Sequence, residues 1–249
     1  MWIDLQTMIW KEIKSYYTFG KGSRSLLARV LLVPLVIGIL LPWEAGVEWL
    51  TTPISIGFWL FLPLILSSTT VADTFAGEKE RHTLATLLAS RLSNTAILFG
   101  KIGAAVLNAV ILTLLVMFMA LIPVNIRFWS GHIQFYEPQF FFLGLFLCII
   151  IAALIASIGS LISLRAKTVK EAQQILSFSI MALYFIPLIL INLLSDEKKA
   201  LLRAFIEHVL SEGRFGNAVI VASCSIILLT VVFMLIALNR FKRTRVALS

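Results

Sequence analysis

No acidic residue sits at the centre of any long apolar run in this chain of 249 residues; all thirteen, from Asp4 to Glu212, fall near the ends of such runs or between them. Carriers driven by protons or sodium usually keep ionisable groups at mid-membrane, where they are costly and retained for function. Their absence here points to energy supplied from outside the spans, most simply by a partner ATPase. Cysteine is as scarce: Cys148 and Cys224 both lie inside apolar runs, where a thiol packs as a small apolar group rather than as nucleophile or disulfide partner. The three histidines, His82, His132 and His208, stand on three different connections and cannot share a metal or a base. A phosphate loop is missing too, because Gly20-Lys21-Gly22-Ser23 lacks the required G-x-x-x-x-G-K-[ST] spacing and follows no strand. It reads as a turn.

Charge of either sign is sparse. Only 14% of residues are charged against 59% apolar, and the mean hydropathy is +0.96, which excludes an ordinary soluble domain. Lipid offers the backbone no partners, so apolar runs of about 17 to 25 residues are read as self-satisfied spanning helices. Six runs qualify or nearly do: Leu26 to Leu41, Ile54 to Ala72, Ile102 to Ile122, Phe140 to Leu164, Ile175 to Leu194 and Ala218 to Leu238. The first is the shortest and carries Arg29 and Pro34, which suits a signal peptide as well as a span. No small-x-small cleavage site follows before Trp43 and Glu44, so an uncleaved span is expected.

Lys and Arg divide unequally between the connections. Sixteen lie on the N-terminal arm, the second and fourth connections and the tail; five lie on the other side. The positive-inside rule then puts both termini in the cytoplasm. The formal net charge of +8 is accounted for by a basic face beside anionic headgroups, with no nucleic acid needed.

The arm 1–25 spaces Trp2, Leu5, Ile9 and Ile13 by three and four, as an interfacial helix on the inner leaflet would. Segment 195–217 carries a second such stripe, Leu201, Leu202, Phe205, Ile206, Val209 and Leu210, and reads as an amphipathic helix on the outer face. The fourth run has small residues at Ala152, Ala156 and Ser160 and at Ser157, Gly159 and Ser163, a row that lets helices approach closely within one chain or between two. Pro187 predicts a kink or break in the fifth run. Neutral polar groups inside the runs are few, and Asn108, Thr113 and Asn192 are the candidates to line a pathway.

Between the second and third runs lies a charged segment, 73–101, with a leucine-striped helix after its charge cluster. The sequence Phe75-Ala76-Gly77-Glu78-Lys79-Glu80-Arg81, followed by Thr83-Leu84, Leu87-Leu88, Ser93 and Gly100-Lys101, resembles the cytoplasmic signature of type-2 ABC transporter permeases, the ABC-2 type. Arg165-Ala166-Lys167-Thr168-Val169-Lys170-Glu171 in segment 165–172 is similar to that family's second cytoplasmic connection. The likeness covers nearly the whole chain. It departs at His82, where the family often has Gly, at Ala85, often Glu, and at Arg91, often Pro.

The resemblance implies an all-α membrane protein forming a single permease domain over 1–249. Its parts would be six transmembrane helices, an N-terminal interfacial helix, a cytoplasmic coupling helix and an extracytoplasmic amphipathic helix. It further implies an export permease of the bacterial inner membrane, paired with a second copy or a related permease. Separate ATPase subunits would bind ATP and Mg, and this chain would hold no cofactor of its own. Phe75, Glu78, Lys79, Glu80, Arg81, Thr83, Leu84, Leu87 and Leu88, with Arg165, Lys167 and Glu171, are then the expected contacts for the ATPase. A carrier or channel driven by an ion gradient is the alternative.

Overall fold

A computed structural model of the protein describes residues 2–18, 34–201, 204 and 215–241. The first half of the first apolar run, most of segment 195–217 and the basic tail from 242 lie outside them. Every regular element among the described residues is helical. Helix α1, Trp2–Thr18, is followed by a π-helical turn, Val36–Leu40, that runs into α2, Leu41–Ala45, and then by α3, Glu48–Thr51. Four long helices and one short one come next: α4, Ile54–Glu80; the short α5, Leu84–Ala89; α6, Asn94–Arg127; α7, Pro138–Arg165; and α8, Val169–Leu193. The last is α9, Phe215–Arg240.

The long helices cover the second to sixth apolar runs and begin where the sequence supplies a start. Ser93 accepts from the Ala96 amide (3.1 Å) to open α6, Pro138 stands at the first position of α7, and Thr168 accepts from the Glu171 amide (3.1 Å) to open α8. Asn94–Arg127, Pro138–Arg165 and Gly216–Arg240 are long and apolar enough, by length and composition, to cross a membrane. Two boundaries differ from expectation. α4 does not stop with its apolar run at Ala72 but continues to Glu80, and α8 runs unbroken through position 187 to Leu193, so of the kink or break expected there the break is absent.

Small residues set how closely the helices meet. A Cβ on Gly144 would come within 2.6 Å of the Trp59 ring, and one on Gly159 within 2.6 Å of Val71, so α7 lies hard against α4 at both ends. Ala152 and Ala156 between them, and Ser160 just beyond, are buried. The small-residue row of the fourth run therefore serves packing within the chain. α1 lies across α6 in the same manner, with Met8 over Gly100.

The interior divides into two main clusters. One gathers Trp49, Trp59, Leu62, Met117 and Tyr136 near the 128–137 connection, where Tyr136 donates to the Met117 carbonyl at 2.8 Å. The other gathers Met8, Val71, Phe75, Leu87, Ile97, Leu98 and Phe241 at the opposite end, around α5. Away from these, α8 and α9 turn large apolar side chains outward, among them Phe178, Phe185, Leu190, Val221 and Leu228. Such wide apolar faces suit contact with lipid or another chain.

Candidate functional site

The charged segment begins inside α4. That helix ends in a Schellman arrangement: the Thr83 amide donates to the Glu78 carbonyl (2.9 Å) and the His82 amide to the Lys79 carbonyl (3.0 Å). The position that must turn left-handed is His82, at φ 55°. Chain direction then reverses into the single turn and a half of α5, and Ser93 starts α6. The signature is thus the last two turns of one helix, a tight cap and a short helix.

Each charge of Glu78-Lys79-Glu80-Arg81 is engaged within the protein. Lys79 donates to the Leu164 carbonyl (2.6 Å) and the Ala166 carbonyl (3.2 Å), a cation on the C-terminal end of α7. Glu80 accepts from the Val169 amide (2.8 Å), an anion on the N-terminal end of α8. Both charges complement the dipole of the helix end they meet. Adjacent residues of α4 therefore clasp the two sides of the 166–168 turn. Arg81 reaches back one face of α4 to Asp73, with contacts of 3.1 and 3.2 Å, across Gly77. A Cβ on Gly77 would overlap the Asp73 carboxylate, which is why glycine stands there.

Glu78 points the other way, into a buried ionic cluster. Its carboxylate meets Lys101 of α6 (3.5 Å) and Lys11 of α1 (3.3 Å), and it accepts a hydrogen bond from the Thr83 hydroxyl. Lys101 is 1% exposed and also meets Glu12 of α1 (2.9 Å) and the Thr74 carbonyl (2.7 Å). Its ammonium lies 5.3 Å from the centre of the Phe75 ring. A lone buried ammonium would cost several kcal/mol, which opposite charges and a carbonyl at this range offset. Two cations and two carboxylates make the group neutral.

Environment shifts three of these groups. Burial pushes the Glu78 carboxyl up, but Lys101, Thr83 and Lys11 outweigh it and hold it below the ordinary carboxylate value. Burial draws the Lys79 ammonium down, opposed by nearby Glu171. For Arg81, burial is outweighed by Asp73, which raises it.

One hydroxyl links α4 and α7 at this level. Ser163 of α7 accepts from the amides of Phe75 (3.0 Å) and Ala76 (2.9 Å) and donates to the Ala72 carbonyl (2.9 Å), standing in the backbone ladder of α4. The 165–172 connection is built locally as well: Thr168 caps α8, and the Glu171 carboxylate reaches back to the Lys167 amide at 2.9 Å.

Of the residues expected to face a partner, several face inward. Phe75 is fully buried against Phe241, with ring centres 5.1 Å apart; Glu78 lies in the ionic cluster; Leu87 is buried and Leu84 packs beside it. The Leu88 side chain lies outside the described set. Glu80, Arg81, Thr83, Arg165, Lys167 and Glu171 are exposed, though Glu80, Arg81, Thr83 and Glu171 are also bonded within the chain. The three polar candidates for a pathway are not brought together. Asn108 meets Thr70 of α4 (3.4 Å), Thr113 meets Cys148 of α7 (3.5 Å), and Asn192 is exposed near the end of α8.

Sequence reading missed Glu12 and Ser163 as members of this site, and took in Asp73 and Lys101 only as ends of the 73–101 segment, without a role of their own. The Thr168-x-x-Glu171 capping signature was there to be found. The sequence model of the ABC-2 type transporter family matches residues 3–193. No curated protein matches the chain.

Proposed function

Because this chain belongs to the ABC-2 type transporter family, we propose that it is the exporting transmembrane subunit of an ATP-driven transporter, pushed from the cytoplasm by separate ATPase subunits. Six spans with both termini in the cytoplasm of a bacterial cell place segments 73–101 and 165–172 on one face. A second copy or a related permease completes the pathway, and ATP and Mg are bound by the partner.

One observation carries the coupling role: Lys79 and Glu80 fasten the first cytoplasmic segment to the ends of α7 and α8. A push on α5 then reaches those spans through direct bonds rather than through loose loops. The surface offered to the ATPase is the exposed side of the two segments, with Arg81, His82, Thr86, Arg91, Lys167 and Lys170. The inward leucines support that surface from beneath.

Co-expression with a candidate ABC ATPase subunit from the same genome, followed by reconstitution, tests the reading. Thr86→Trp, a bulky change on the exposed side, is expected to abolish most permease-stimulated ATP hydrolysis, and Glu80→Gln to reduce it, with insertion unaltered. Stimulation untouched by both variants would overturn the role assigned to this surface.

A further inference from the structure

Sequence alone marks Lys101 as a topology charge at the start of the third apolar run. In the folded chain it joins three helices. From α6 its ammonium reaches Glu12 on α1 and both the Thr74 carbonyl and Glu78 on α4; Glu78 in turn holds Lys11 of α1 and the Thr83 hydroxyl, one residue before α5. The exposed side of α1 carries Trp2, 72% exposed, and Trp10, 70% exposed, among Gln6, Thr7 and Lys14. Tryptophan on an open helix face beside lysines suits the headgroup level of a bilayer. Apolar packing tolerates sliding, whereas an ammonium held by two carboxylates and a carbonyl fixes the register of its neighbours.

We propose that Lys101 is a positioning residue that locks α1 to the α4–α5 turn, so that the membrane-lying helix and the coupling segment move as one piece. Glu12, Lys101, Glu78 and Thr83 form the path between them. The consequence for transport rests on the permease reading; the joint itself does not.

Two arms of one experiment separate these. Full-length protein in nanodiscs of phosphatidylethanolamine and phosphatidylglycerol is followed by hydrogen exchange. Glu12→Gln, a change on α1, is expected to raise exchange in residues 81–93 on the order of tenfold, with 138–165 unaltered as a folding control. It should add nothing in a Lys101→Met background, and Lys101→Arg should keep most of the protection. Should Glu12→Gln fail to insert, Lys11→Ala, whose side chain is half exposed, carries the same test at about threefold. Exchange that rises in α1 alone, or in neither segment, would overturn the joint.

In the second arm the ATPase complex is assayed. Lys101→Arg is expected to retain stimulated hydrolysis and Lys101→Met to lose it. Survival of stimulation in Lys101→Met, with 81–93 loosened, would overturn the role of the joint in coupling. A wild-type protein that stimulates no ATPase would sink the permease reading and leave the exchange result standing.

Discussion

His82 occupies a left-handed position that a residue with a Cβ enters at a cost of about 1–2 kcal/mol. Its exposed ring is not what ends α4; the backbone bonds of Thr83 and His82 do that. His82→Gly is therefore expected to raise the stability of the detergent-solubilised protein by about 1 kcal/mol, seen as a higher Tm. Glu78 gives a pH dependence of definite sign. Burial alone would raise it, yet Lys101, Thr83 and Lys11 bring it below the value of 4.5 that the unfolded chain would have. The folded state gains this stabilisation above 4.5 and loses it as pH falls through the lower folded value. Acidification below 4.5 should accordingly lower the protection factors of residues 81–93, taken relative to the intrinsic exchange rate at each pH, and in Glu78→Gln that pH-dependent component should vanish.

At the scale of elements, α4 and α7 are held by more than apolar area. The Ser163 hydroxyl serves two amides and a carbonyl of α4 at once. Ser163→Ala removes the hydroxyl with little change in volume and loses these bonds, and is expected to cost about 1–3 kcal/mol in urea unfolding, more than Ser179→Ala on the exposed side of α8. Gly159→Leu should overpack the Val71 contact at about 1–3 kcal/mol. These elements also mark where sequence reading succeeds and stops. Helices over the second to sixth runs were legible because length and hydropathy are local properties. The inward turn of Glu78 and the extension of α4 to Glu80 were not, because their partners are remote: Lys11 stands 67 positions from Glu78, and Val169 stands 89 from Glu80. A charge cluster in water and one folded onto distant helix ends have the same letters.

Among the described residues, the ionic contacts of Glu12, Glu78 and Lys101 lie at one end of the bundle, and the aromatic contacts of Trp59, Phe135, Tyr136 and Phe141 lie at the other. Arg127 near that second end stacks on Trp43 and Phe128, at 5.3 and 5.2 Å, and bonds the Trp43 carbonyl at 2.7 Å. The two ends are expected on opposite sides of the membrane. In a background without Cys148 and Cys224, cysteines at Arg91 and Lys170 should react with an impermeant maleimide only after the inner face is opened, and one at Ser130 in intact cells. Labelling of all three from one side would refute the topology.

The Lys79 and Glu80 clasp also orders events in time. Both residues leave the ribosome well before their partners, Glu80 by 89 positions and Lys79 by 85 to the Leu164 carbonyl. Until α7 and α8 have been synthesised and inserted, the nascent chain presents two neighbouring charges with no helix ends to hold, open to protease. Protection of residues 79–83 from protease is thus expected only once the fifth apolar segment has arrived, so the clasp closes late in synthesis.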